Sequence, residues 1–151
     1  MATFFRIVQA QWASAAMDGE GARLWGGRWN PPGMAAVYLA ESRALAALEI
    51  IVHAPRETLP LEWRLIEVNV PDDLIVPVKA ADLPADWQAL PSSPGARSFG
   101  AAWLRRRQSV ALKLPSVVLP EEHTLLVDPL HPDAAKLRAY PAKWFRFDPR
   151  F

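Results

Sequence analysis

No cysteine occurs among the 151 residues of this chain, so its fold must be held by an apolar core without covalent help. Disulfide frameworks, thiolate zinc sites, iron–sulfur clusters and cysteine nucleophiles are excluded together. The chain is long enough to manage without them. A domain of this size buries roughly 70% of its unfolded surface, and 51% of the residues are hydrophobic. The length predicts one domain spanning 1–151. His53, His123 and His131 are the only imidazoles, and their spacing matches no metal motif, so no metal is expected.

Charge is nearly balanced, with 17 basic against 16 acidic residues. A nucleic-acid binder gathers a basic excess on one face, so direct nucleic-acid contact is not expected. Arginine outnumbers lysine 13 to 4, a bias toward planar forks that suit carboxylate, phosphate and aromatic partners. No apolar run approaches the ~20 residues of a membrane span. The opening segment, with Arg6 inside its apolar stretch, has no signal-peptide layout. The expectation is a cytoplasmic protein with no membrane partner.

Short apolar runs between breakers predict an α+β domain. Phe4 to Val8 reads as a strand, Met17 to Asn30 as a glycine-rich loop, and Ala35 to Ala40 as a buried strand. Ser42 stands where an N-cap belongs, ahead of helix formers that run to His53 and stop at Pro55. Trp63 to Val70 places Ile66, Val68 and Val70 on one side of a strand. Asp72 to Gly100, broken by Pro77, Pro84, Pro91 and Pro94, has no clear period, and a helix is predicted from about Ser98 to Arg107. Ser109 to Leu119 predicts one or two strands, Leu125 to Val127 another, and Trp144 to Phe147 a strand closing the sheet. Nothing in this pattern predicts a βαβ parallel sheet.

Several residues could carry chemistry. Trp25-Gly-Gly-Arg28-Trp29-Asn30 sets an arginine on a glycine turn between two indoles. This suits a phosphate or carboxylate clamp, and equally a structural turn with a local salt bridge. Glu49 is the one polar side chain from Ala44 to Val52, on a helix apolar all round and therefore expected to be buried. A carboxylate there must be paired, protonated or turned to a cavity. Tyr38, mid-strand, reads as a core tyrosine or as a ring for stacking. Ser116 lacks a nucleophile elbow and reads as a hydrogen-bonding group for a ligand. His131 reads as a turn residue, His53 as a cation at a helix end. Arg105 to Arg107 read as a solvated face or partner contact.

In order and spacing these segments resemble the RES family, the toxin half of bacterial RES–Xre toxin–antitoxin pairs. The resemblance rests on Phe5-Arg6-Ile7, Gly27-Arg28-Trp29-Asn30 with Gly33, Val37-Tyr38, and Ala47-Leu48-Glu49 ending in His53. It continues through Leu114-Pro115-Ser116 with Pro120 to Asp128-Pro129 and His131-Pro132. His123 and Asp128 stand where the family often has asparagine. The resemblance implies an ADP-ribosyltransferase-like fold with a split sheet and flanking helices. It also implies NAD+ as a consumed substrate, cleaved between nicotinamide and ribose, with water, phosphate or a protein group as acceptor. Glu49 would stabilise the ribosyl cation or orient the ribose hydroxyls, and Arg28 would bind pyrophosphate or an incoming phosphate. Tyr38 would stack on nicotinamide, Ser116 would hydrogen-bond to the substrate, and Arg6 is a secondary phosphate contact. The leading implication is a glycohydrolase or phosphorylase, and the alternative a mono-ADP-ribosyltransferase that modifies a cellular protein. A binding module in which Glu49 merely pairs with Arg28 is the non-catalytic alternative. The implied partner is an Xre-like helix-turn-helix antitoxin that carries any DNA binding and covers the pocket. Trp12, Trp25 and Arg105 to Arg107 are its candidate contacts, and a homodimer within the complex is left open.

Overall fold

The computed structural model describes residues 1–151, and its framework is a mixed sheet of eight strands. β1 (Ala2–Gln9) pairs antiparallel with β3 (Trp63–Val70) along its whole length. With β2 (Val37–Ala40) it shares only the Phe5–Ala40 register, so the sheet splits between these two strands. β2 continues into β6 (His123–Val127) and β5 (Ala111–Pro115), both antiparallel. β4 (Ile75–Pro77) closes that edge parallel to β5. On the other edge, β7 (Arg138–Ala139) and β8 (Lys143–Phe145) both pair with β3.

Strand alternation sorts the core into layers. Phe4 and Val8 turn to one side with Val37, Leu39, Ile66, Val68 and Val70. Phe5 and Ile7 turn to the other, where α2 (Arg43–His53) packs against them and against Ala40 and Trp63. α3 (Pro94–Arg106) covers the same side farther along, over Leu112, Leu114 and Leu126. Two helices thus share one face of the sheet, and β2 runs beneath the seam between them. No helix is long and apolar enough to cross a membrane.

The α+β class stands, with five corrections of detail. The glycine-rich loop contains a short helix, α1 (Glu20–Trp25), because Asp18 Oδ1 accepts the Glu20 N–H and starts it. The helix expected at Ser98 begins at Pro94: Ser93 Oγ accepts the Ala96 N–H, and proline suits the first helical position. β4, α3 and β5 form one parallel βαβ crossover, unforeseen because β4 is three residues hidden among prolines. β8 extends an edge and leaves the sheet open. The helix expected to be apolar and buried all round is covered on one side only: Leu45 and Ala46 are buried, whereas Val52 is 56% exposed. Its start was read correctly, with Ser42 Oγ accepting the Leu45 N–H at 3.0 Å.

α3 meets the chain at Trp29 through Gly100, where a Cβ would stand 1.7 Å from the Trp29 carbonyl oxygen. Backbone cannot yield as a flexible side chain does. Gly100→Ala should therefore cost roughly 3 kcal/mol and about 10 °C of melting temperature. Gly21→Ala, with nothing within 4 Å of its Cβ, should be neutral or mildly stabilising in the same thermal melts.

Candidate active site

The turn that carries Arg28 is built around the Tyr38 hydroxyl. That hydroxyl accepts the Trp29 N–H at 2.9 Å and donates to Asn30 Oδ1 at 2.7 Å. Asn30, fully buried, sends its amide to the carbonyls of Ala22, Pro31 and Met34. Side chain and turn are consequently one hydrogen-bonded unit. Gly27 completes it, since a Cβ there would lie 2.6 Å from the Tyr38 oxygen. Burial pushes the Tyr38 hydroxyl well above its ordinary pKa, against the opposing pull of the Trp29 N–H and the charges of Arg97 and Arg28.

Arg28 leaves this turn toward the segment that leads into α3. Its Nη1 donates to the carbonyls of Trp87 (3.1 Å) and Ala89 (2.8 Å). Burial lowers its pKa, and the fields of Glu49, Tyr38 and Asp86 restore part of that loss. Glu49 is near enough to be felt, yet the two form no ion pair. The expected buried carboxylate is instead 29% exposed, because α2 is open on its outer side.

Glu49 is held by other groups. Ser116 Oγ donates to Glu49 Oε1 at 2.9 Å while accepting the N–H groups of Val118 (3.1 Å) and Leu119 (3.2 Å). His53, one turn along α2, has Nδ1 2.8 Å from the Glu49 carbonyl and 3.5 Å from Glu49 Oε2. Both neighbours of Nδ1 are acceptors, so the proton belongs on that nitrogen. The loop that presents Ser116 is fastened to the cap of the helix that presents Glu49. Ser42 Oγ donates to Glu122 Oε1 at 2.6 Å, and Glu122 supplies the carbonyl for the Ser116 N–H.

The expected site residues therefore fall into two groups. Arg28, Tyr38, Glu49 and Ser116 converge on the seam between α2 and α3. Arg6 alternates with Phe4 and Val8, and its contacts are the Tyr38 backbone carbonyl (3.1 Å) and the field of Asp18. Its buried Nε has no partner. His123 turns to Glu41, with Nδ1 3.1 Å from both carboxylate oxygens. Asp128 Oδ1 accepts the Leu130 N–H, and His131 Nδ1 accepts the Asp133 N–H, so both serve turns. Four of the seven tryptophans are buried, whereas Trp12 and Trp25 stand 59% and 84% exposed, as do Arg105 to Arg107 on the end of α3. No three acidic or imidazole side chains stand close enough to share a metal ion.

Two residues were missed. Asn30 was quoted in the turn motif but given no role, although a buried amide with four bonds organises that turn. Arg97 was left outside the expected helix; its signal was its place three, four and seven residues before Gly100, Ala101 and Leu104, on a buried stripe.

Comparison with known proteins places this geometry. The RES domain model matches residues 3–148. The Prs ADP-ribosylating toxin of Sphingobium sp. (strain YBL2) is 42% identical over 89% of this chain and 85% of its own length. Toxin Res of Yersinia enterocolitica is 35% identical over 97% of each chain. The NAD(+) phosphorylase MbcT of Mycobacterium tuberculosis is 35% identical over 63% of this chain and 59% of its own. In the crystal structure of the M. tuberculosis MbcT–MbcA toxin–antitoxin complex, the matching chain has the same fold, with a TM-score of 0.80 at 22% identity. The match covers 96% of this chain and 84% of that one.

The Tyr38 environment sets a pH dependence. Burial raises the hydroxyl pKa in the folded state, so the stability it contributes is complete below about pH 10, the ordinary tyrosine value. It is lost as rising pH ionises tyrosine in the unfolded chain first. Wild-type melting temperature should fall steeply above pH 10. Tyr38→Phe should lose about 1–2 kcal/mol at neutral pH by stranding its two partners, yet show a flatter alkaline limb. Equal alkaline slopes in thermal melts would contradict the assignment.

Proposed function

The chain belongs to the RES-domain family, and on that premise we propose that it is the toxin of a toxin–antitoxin pair and consumes NAD+. One observation carries the chemistry: the Glu49–Ser116 pair stands across the seam from an arginine that has no anionic partner. Breaking the bond between nicotinamide and ribose sends its electron pair to nicotinamide, neutralising the pyridinium. A ribosyl cation remains, and an acceptor oxygen captures it and releases a proton. The same type of charge is stabilised by carboxylates in glycosidases.

Glu49 lies where it can oppose that cation or hold the ribose hydroxyls, and Ser116 and His53 fix the orientation of its carboxylate. Such fixed electrostatic groups are worth on the order of 3 kcal/mol each. Arg28 has Nε and Nη2 free for a bidentate grip on phosphate. Tyr38 supplies the turn with its hydroxyl and leaves its ring for nicotinamide. Arg6 backs β2 as a further positive charge.

Water or phosphate as acceptor makes the enzyme a glycohydrolase or phosphorylase, in line with MbcT. A second reading, mono-ADP-ribosylation of a cellular protein, is favoured by the higher identity and coverage of the Sphingobium toxin. The partner is an antitoxin, of the helix-turn-helix type that the resemblance implies. The exposed Trp25 beside the arginine turn, with Trp12, is the surface it would cover.

Purified protein incubated with NAD+, with and without phosphate, should release nicotinamide. Glu49→Gln should slow that release by about 100- to 1,000-fold without changing the melting temperature by more than a few degrees. Free ADP-ribose identifies water as acceptor, ADP-ribose 1″-phosphate identifies phosphate, and a discrete labelled band in lysate identifies a protein. Unchanged NAD+ in all three, with the antitoxin absent, would overturn the reading.

A further inference from the structure

Arg97 occupies a position that a core residue would normally hold. Together with Gly100, Ala101 and Leu104 it forms the i, i+3, i+4, i+7 stripe of α3, and those three companions are buried. Gly100 brings this stripe into contact with the Trp29 carbonyl. One turn earlier, Arg97 therefore comes up beside the turn that carries Arg28. Its Nε is buried without a hydrogen-bond partner, and its guanidinium enters no ion pair. The fields of Arg97 and Arg28 both reach the Tyr38 hydroxyl, in keeping with the approach of α3 to this turn at Gly100.

The acids nearest Arg28, whose fields reach it, form no ion pair with either arginine. Asp86 Oδ2 accepts the Gly95 N–H at 3.0 Å, and Glu49 accepts from Ser116. Arg28 has only backbone carbonyls. A half-buried guanidinium without an ion-pair partner is unfavourable in the empty protein. An arrangement of this kind becomes favourable when a dianionic group enters and takes a fork from each side.

From this geometry we infer that Arg97 and Arg28 form a two-guanidinium subsite for a phosphate-bearing ligand, with Arg97 as the arm supplied by α3. The inference deepens the NAD+ reading, since the pyrophosphate of a dinucleotide and a free acceptor phosphate offer the same chemistry. The sequence motif around Arg28 does not contain this second arm.

Two measurements test it. Inorganic pyrophosphate is titrated into wild-type and Arg97→Gln proteins by calorimetry, and nicotinamide release is followed at varied NAD+ and varied phosphate. Arg97→Gln should bind pyrophosphate about tenfold more weakly and melt no lower than wild type, because an unpaired charge has been removed. Its KM for NAD+ should rise about tenfold with kcat within about twofold, the mark of lost uniform binding. A rise confined to the KM for phosphate would assign the subsite to the acceptor. Arg97→Lys, which keeps the charge without the fork, should lie between and serves if the glutamine variant folds poorly. Unchanged pyrophosphate affinity and unchanged constants in an active enzyme would overturn the subsite and leave the NAD+ reading standing. Pyrophosphate binding that depends on Arg97, in a protein that leaves NAD+ intact, would keep the subsite and overturn the NAD+ reading.

Discussion

The bonds from the Tyr38 hydroxyl to Trp29 and Asn30 are what the rest of the site depends on. They join the centre of β2 to an otherwise irregular stretch of chain, and Asn30 extends the joint to α1 and the turn beyond it. Without them nothing regular would hold Arg28 at the seam between α2 and α3. Glycine is required at position 27 because the phenol oxygen lies where a side chain would start. It is required at position 100 because α3 must close onto the same turn. Two glycines and a buried tyrosine thus convert a loop into a rigid platform for a guanidinium.

Around that platform the distribution of charge is uneven. Carboxylates near the seam are engaged by neutral donors or by histidine: Glu49 by Ser116 and His53, and Asp86 by a backbone N–H. Arg28 and Arg97 are left with carbonyls or with nothing. A fold selected for stability alone would pair these groups with each other. Keeping them apart sacrifices some stability and leaves positive charge for a ligand, a common compromise at functional sites. The excess of arginine over lysine acquires its meaning here, since a fork with five donors can satisfy a backbone carbonyl and still grip a phosphate.

Much of this was legible in the sequence because it is local. Alternation marked β1 and β3, Ser42 marked the start of α2, and the family resemblance carried by the order of the motifs implied a shared site for Arg28, Tyr38, Glu49 and Ser116. What failed was non-local. Three residues of β4 have no pattern of their own and become a strand only by lying beside β5. The apolar outer face of α2 suggested burial, yet whether such a face is covered depends on what packs there, which periodicity does not report. Starting α3 at Ser98 instead of Pro94 removed Arg97 from its helix, so its place on the buried stripe went unseen. Asn30 looked like a turn residue of ordinary kind, and only the assembled β2 reveals what its amide holds.

The most direct test of this account is calorimetric titration of NAD+ into Glu49→Gln protein, alone and combined with Tyr38→Phe. With turnover suppressed, the single variant should bind NAD+, because the arginines and their platform are intact. Adding Tyr38→Phe should weaken binding about tenfold in a protein that remains folded, through relaxation of the turn that aims Arg28. Failure of the single variant to bind NAD+, or equal affinity in the two proteins, would contradict it.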